Sequence, residues 1–69
     1  MKLSARNVLK GRVMKVIRGQ TTAHVKIDVG GGSVVTASIT IEAVDELGLR
    51  EGDAAYAIIK ASSVIVAKD

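Results

Sequence analysis

The chain has 69 residues, a formal net charge of +3, and a composition that is 48% hydrophobic with one tyrosine and neither phenylalanine nor tryptophan. This length predicts one domain, residues 1–69, with a small core. Because it has no cysteine and only one histidine, it can build neither a disulfide nor a cysteine–histidine zinc site. Oligomerisation is the remaining common way to stabilise so small a core.

The opening residues, MKLSARN, lack the apolar run of a signal peptide. No segment approaches the roughly 18 continuous apolar residues of a membrane-spanning helix. We therefore expect a soluble, cytoplasmic protein with no membrane partner.

The first predicted strand covers residues 7–18, NVLKGRVMKVIR, which mix apolar and basic side chains. Simple alternation places Val13 and Ile17 on one face and Met14 and Val16 on the other. Both faces of this strand are therefore expected to carry apolar side chains.

The next two runs alternate more regularly and predict a β-hairpin. Residues 21–29 place four apolar side chains on one face, and residues 33–41 repeat the pattern. The three glycines at 30–32 supply a permissive turn between them.

A helical period begins after Thr40, which is the predicted N-cap. Ile41, Val44 and Leu47 recur at helical spacing, and Gly48 stands where a helix commonly ends in a left-handed residue. The sequence predicts a helix of about two turns here.

Two further strands are predicted after a turn at REGD, one in AAYAIIK (54–60) and a short one in VIVA (64–67). The order is then three strands, the helix and two strands. We predict a mainly β protein, an OB-like five-stranded small barrel with one short helix between strands 3 and 4.

The sequence offers no catalytic constellation. His24 is the only imidazole and lies on the polar face of a strand, which favours a solvated or interface residue. The carboxylates are scattered, and GGGS lacks the Lys-Ser or Lys-Thr of a phosphate-binding loop. We expect no catalytic residues, no metal ligated directly by side chains, and no enzyme activity.

An alternative function is a small OB-like nucleic-acid-binding module, because the first strand carries Lys10, Arg12, Lys15 and Arg18. Tyr56 is the only aromatic residue, so base stacking is available at one position at most. Nucleic acid is therefore not the favoured partner. A domain whose only role is assembly is a third possibility.

Lys60 shares a strand face with Tyr56 and Ile58. If that face is solvated, Lys60 is an ordinary lysine at a strand end; if it is buried, the ammonium requires an anion. Residues on the bend that follows Lys60, and others at sequence-distant positions, bring hydroxyl and amide groups that suit a desolvated oxyanion. They are Ser4, Arg6, Asn7, Thr40, Ser62 and Ser63.

Four stretches together resemble one family: SARN near the start, a glycine four residues later, AVDELGLREGD, and IIKAS followed by a valine. The chain resembles the molbindins, the single-domain form of the Mop molybdate- and tungstate-binding fold. The resemblance covers nearly the whole chain. It implies an OB-like five-stranded barrel assembled as a homohexamer, a trimer of dimers, with oxyanions held between subunits. It also implies storage and homeostasis of molybdate or tungstate.

Carried over by position, the resemblance implies an oxyanion site between subunits. The SARN segment would contribute the Ser4 hydroxyl, backbone N–H groups of Ala5 and Arg6, and Asn7. Lys60 would be the charge partner. The remaining lining would come from Thr40, Ala43 at the helix start, Ala61 and Ser62.

Overall fold

The computed structural model describes all of residues 1–69. It contains four strands and one α-helix. Their bounds are β1 Asn7–Arg18, β2 Thr22–Gly30, β3 Ser33–Thr40, α1 Ile41–Leu47 and β4 Ala54–Ile59, followed by a 3₁₀ turn at Ala61–Ser63. Neither helical segment has the length and apolarity that a transmembrane span requires.

The strands form one antiparallel sheet in the order β3-β2-β1-β4. β1 is shared between two partners, because its first half, Asn7–Arg12, pairs with β4 and its second half, Arg12–Arg18, pairs with β2. This arrangement confirms the mainly β, OB-like fold with a short helix after the third strand. β3 and β4 are the two edges of the sheet.

The predicted fifth strand is absent, and this part of the prediction is wrong for the single chain. Residues 64–67 lie after the 3₁₀ turn without regular structure, and their side chains are exposed. VIVA has high strand propensity, but a strand needs a hydrogen-bonded neighbour, and residues 64–67 pair with no strand of the chain.

A β-bulge in β1 overturns the predicted facing of its side chains. Val13 pairs with Ile27 and Lys15 pairs with Lys26, so Met14 is an extra residue. The bulge returns Val16 to the core face with Val13, which is 1% exposed. Met14 and Ile17 lie half-exposed instead.

Gly11 lets β1 pass close to β2. A Cβ at this position would overlap the Asp28 carbonyl oxygen and lie 2.8 Å from Ile27 Cγ2. Only glycine fits there without a shift of the backbone, because both obstacles belong to a neighbouring strand of the sheet.

The core is as small as the length predicts. Its six buried residues come from β1, β2, β4 and the helix. They are Val13, Ala23, Val25, Ile27, Val44 and Ala57. The helix reaches this core through Val44. Leu47, predicted on the same face, is 68% exposed.

The helix ends follow the predicted local chemistry. Thr40 is the N-cap, and its hydroxyl accepts a 3.0 Å hydrogen bond from the Ala43 N–H. Gly48 adopts the left-handed conformation with φ 61°, and the Leu49 N–H bonds the Val44 carbonyl at 3.1 Å, which completes a Schellman ending.

Candidate functional site

One end of the sheet brings two of the predicted site segments together. Asn7, the first residue of β1, pairs with Ile59, the last residue of β4. The Asn7 side chain strengthens this pairing, because its Nδ2 donates a 3.1 Å hydrogen bond to the Ile59 carbonyl. The SARN segment (Ser4–Asn7) and the KAS segment (Lys60–Ser62) therefore lie next to this pair. We call this end of the molecule the SARN–KAS end.

Three polar side chains at the SARN–KAS end have no partner within the chain. Lys60 forms no ion pair or hydrogen bond through its side chain, and the one salt bridge of the chain joins Arg18 to Asp45. The hydroxyls of Ser4 and Ser62 also lack a partner and are exposed. A cation and two hydroxyls are thus available together, without a carboxylate in either segment.

Asn7 has a structural role that the sequence did not reveal. One of its amide hydrogens holds the end of β4, so Asn7 positions the SARN segment against the KAS segment. The second hydrogen remains available as a donor.

Thr40 and Ala43 lie elsewhere in the chain. Thr40 pairs with Thr22 at the start of β2, level with the Arg18 end of β1. The full 12-residue length of β1 separates this end of the sheet from Asn7. The structure therefore divides the nine predicted residues into two groups, with seven at the SARN–KAS end and two at the helix start.

Two backbone amides at the helix start are engaged within the chain. The Ile41 N–H donates to the Thr21 carbonyl at 3.2 Å, and the Ala43 N–H donates to the Thr40 hydroxyl. Neither amide is free, because the Thr40 hydroxyl and the carbonyl of Thr21, just before β2, accept from them.

No predicted site residue lines either of the two main cavities. The larger, of about 420 Å³, is lined entirely by hydrophobic side chains, and the smaller, of about 180 Å³, lies around Arg18 and His24. The SARN–KAS end is thus an open surface in one chain rather than an enclosed pocket. No group of three or more histidine, aspartate or glutamate side chains is placed to hold a metal ion.

The basic residues of β1 do not form one free cationic stripe. Arg12 donates a 2.6 Å hydrogen bond to the Gly52 carbonyl, and Arg18 pairs with Asp45 at 2.9 Å. Lys10 lies opposite the half-exposed Tyr56, and Lys15 lies opposite Lys26. Since two of the four β1 cations are engaged within the chain, the nucleic-acid alternative gains no support from this surface.

Comparison with known proteins agrees with the fold and with the family resemblance. Residues 3–66 match the TOBE domain family. A probable molybdenum-pterin-binding protein of Haemophilus influenzae is 53% identical over 66 residues, which cover 96% of each chain. Molybdenum-pterin-binding protein 3 of Clostridium pasteurianum is 41% identical over 66 residues, 96% of this chain and 97% of that protein.

Solved structures show the same similarity. MopII from C. pasteurianum superposes with a TM-score of 0.90 at 37% identity and covers 97% of this chain and 100% of its own. The cytoplasmic molybdate-binding protein ModG, in a form with molybdate bound, gives a TM-score of 0.90 at 48% identity. This match covers 94% of the present chain and 46% of ModG.

The fold and the matched residues thus define a small TOBE-domain protein. Within that class the chain belongs to the single-domain Mop family, as the SARN and KAS motifs implied.

Proposed function

We propose that this protein binds molybdate or tungstate for storage and homeostasis, in pockets between the subunits of a cytoplasmic homohexamer arranged as a trimer of dimers. The whole chain acts as one Mop domain, and it is not an enzyme. The oxyanion is its ligand, and other copies of the same chain are its partners.

The observation that carries this proposal is the position of Lys60. Its ammonium has no counter-ion in the chain, and the Asn7–Ile59 pairing holds the Lys60 backbone next to the SARN segment. A tetrahedral dianion placed there gains a charge partner and the hydroxyls of Ser4 and Ser62. Backbone N–H groups of Ala5, Arg6 and Ala61 complete this part of the proposed site.

Hydrogen bonds account for the affinity that this chemistry requires. Each bond to a charged group contributes roughly 1.5–3 kcal/mol net, so four to six of them offset much of the cost of dehydrating the ion. Uncharged hydroxyl and amide donors also suit molybdate and tungstate, whose oxygens have low proton affinity. These donors bind the dianion without transferring a proton to it.

A site between subunits explains why the predicted residues form two groups in one chain. Thr40 and Ala43 lie at the opposite end of the sheet from Lys60, and the SARN–KAS end is open to solvent. We propose that the helix start of one subunit covers the SARN–KAS end of another. The pocket so formed would exclude water from the ion and strengthen each hydrogen bond.

The relatives support the choice of ligand. Those of nearly full length are described as molybdenum-pterin-binding proteins, and ModG is described as a cytoplasmic molybdate-binding protein with molybdate bound. Tungstate is proposed because it has the same charge and tetrahedral geometry as molybdate. Sulfate is smaller, and pocket size is the property that we expect to exclude it.

Two measurements test the proposal. Elemental analysis of the purified protein is expected to find molybdenum or tungsten. Calorimetric titration is expected to give heat with molybdate and tungstate and much less with sulfate, while native mass spectrometry reports the number of subunits and bound ions. An intact oligomer that gives no heat with either heavy oxyanion would overturn the proposal.

A further inference from the structure

The outer face of the sheet, on the side away from the core, carries cations that the proposed oxyanion site does not use. Val13 and Val16 both pack in the core, so the two residues between them, Met14 and Lys15, both lie on the outer face. The β-bulge therefore places two adjacent side chains against Lys26, the residue that pairs with Lys15. We call the patch around this pair the basic outer face. Its members are Met14, Lys15, Ile17, His24, Lys26 and Val34.

The two lysines at the centre of the basic outer face have no counter-ion within the chain. The single salt bridge of the chain lies elsewhere, and the Lys26 ammonium donates only to the Thr36 hydroxyl, at 3.3 Å. The nearest carboxylate on the same face of β2 is that of Asp28, and it accepts from the Gly30 N–H. Like charges directly opposite each other destabilise an antiparallel pair, so a bound anion would stabilise the contact between Lys15 and Lys26.

Apolar side chains accompany these cations. Met14 is 48% exposed, Ile17 44% and Val34 45%. A ligand that covers the face must therefore supply both negative charge and apolar surface. Nucleic acid meets the first requirement but gains little from the second, because the face has no aromatic side chain on which a base could stack.

We propose that the basic outer face binds a short acidic segment of a different protein, one that carries carboxylate and apolar side chains together. The carboxylates pair with Lys15 and Lys26, and the apolar side chains cover Ile17 and Val34. The face extends across three strands, about 10 Å at the usual strand spacing, which suits a short segment and a weak, salt-dependent contact.

Two arguments separate this surface from the assembly and from the oxyanion site. Two copies cannot join through identical basic outer faces, because lysines would meet lysines. Lys15 also lies roughly 25 Å along β1 from Asn7, at a rise of about 3.3 Å per residue, and thus far from the SARN–KAS end. The proposal does not depend on oxyanion binding.

Fluorescence anisotropy with a labelled peptide tests the proposal on the purified wild-type protein. In this peptide Glu and Leu alternate with Ser between them, so both side-chain types lie on one face of an extended chain. We expect it to bind, and to bind less tightly as NaCl is raised from about 50 to 500 mM. Peptides with Gln in place of Glu, or with Ser in place of Leu, should each bind more weakly. If the Glu–Leu peptide does not bind, the proposal is wrong.

Lys15→Glu tests the assigned surface. It is expected to weaken peptide binding at least about tenfold, because the new carboxylate repels those of the peptide. The variant should still fold, since Glu opposite Lys26 replaces a like-charge pair with an opposite-charge pair. Lys10→Glu is the matched control, because it makes the same change in net charge at an exposed lysine of β1 outside the face. Equal losses in the two variants would show that net charge alone matters and would refute the assignment.

Ile17→Thr tests the apolar component. It should weaken binding of the Glu–Leu peptide without changing that of the peptide with Ser in place of Leu. Val8→Thr, at another half-exposed position of β1, is the control and should have no effect. A Glu–Leu peptide that binds the Ile17 variant as tightly as wild type would contradict the proposed contact.

Three other occupants give different results, and each would overturn the proposal. Single-stranded DNA that binds more tightly than the peptide and displaces it would assign the face to nucleic acid. A lower mass of Lys15→Glu in light scattering would assign it to a second copy. Displacement of the peptide by molybdate would make it part of the oxyanion site. Failure of molybdate to bind the wild-type protein would overturn the proposed function and leave the peptide result unaffected.

Discussion

The side-chain amide of Asn7 holds the carbonyl of Ile59 at 3.1 Å, and this bond joins the start of β1 to the end of β4. These two residues are 52 positions apart in sequence. Asn7 ends the SARN segment, and Ile59 directly precedes the KAS segment. The bond therefore sets the relative position of these two proposed ligand segments and also stabilises the fold.

Asn7→Asp is expected to destabilise the fold by about 1–2 kcal/mol, because a carboxylate cannot donate to the Ile59 carbonyl and repels it. Urea unfolding measures this change. Molybdate affinity should also decrease, since a negative charge then stands beside Lys60. Lys26→Met is the control: it removes an exposed side-chain hydrogen bond of 3.3 Å to Thr36 and should change both quantities little.

Lys60→Ala is expected to weaken molybdate binding at least about tenfold, which corresponds to about 1.4 kcal/mol, while the oligomer stays assembled. The reason is loss of the only free cation in the KAS segment. Calorimetry on the variant and on Lys15→Ala, which removes an exposed lysine far from this segment, separates a local effect from a change in net charge. Wild-type affinity in the Lys60 variant would exclude Lys60 from the site.

Thr40→Ala should cost about 1 kcal/mol of stability, because the Ala43 N–H loses the hydroxyl that caps the helix. Thr40→Ser retains a capping hydroxyl and is expected to remain near wild type. Thr22→Ala serves as the control in thermal unfolding. Thr22 is paired with Thr40 across the sheet, but the Thr22 side chain makes no hydrogen bond. Equal losses in the Thr22 and Thr40 variants would contradict the capping role.

The bulge predicts unequal effects from two alanine substitutions in β1. Val13→Ala removes a fully buried side chain and should cost about 1–3 kcal/mol, whereas Ile17→Ala, on a half-exposed side chain, should cost clearly less despite the larger truncation. Simple alternation places the two side chains on the same face. It therefore predicts a larger loss of stability for Ile17→Ala than for Val13→Ala. Chemical denaturation of the two variants distinguishes these cases.

Gly11→Ala is expected to destabilise the protein by about 1–3 kcal/mol, because the new methyl group would overlap the Asp28 backbone. Gly19→Ala is the comparison, since its nearest obstacle is one carbonyl oxygen at 3.0 Å near a strand end. A Gly11 variant that is no less stable than the Gly19 variant would show that β1 and β2 can separate at this point.

Local sequence signals predicted much of this fold. The hairpin around Gly30–Gly32, the Thr40 cap and the Gly48 ending depend on neighbouring residues, and all three are present. The bulge at Met14 was not predictable by alternation, because it depends on the register between β1 and β2. The strand at 64–67 was predicted from propensity, which says nothing about the presence of a partner strand.

The candidate site was less accessible to sequence reasoning. Strand periodicity placed Lys60 on a face but left open whether that face was buried. Ser4 was one of several candidate donors in the sequence, and the family resemblance assigned it to the same site as Lys60. The structure adds the reason for their proximity, which is the Asn7–Ile59 pairing. It also separates Thr40 from Lys60, a separation that depends on strand order and cannot be read from spacing.

The extra residue at Met14 also determines where β1 can lose one residue without a change in the core. Removing one residue from a strand normally reverses the facing of every side chain on one side of the deletion. Deleting Met14 would instead leave Val13 opposite Ile27 and Lys15 opposite Lys26, so each remaining side chain would keep its face. Among the positions of β1, Met14 is therefore the place where a shorter homologous chain could lose a residue and keep its core, giving up only the local bend.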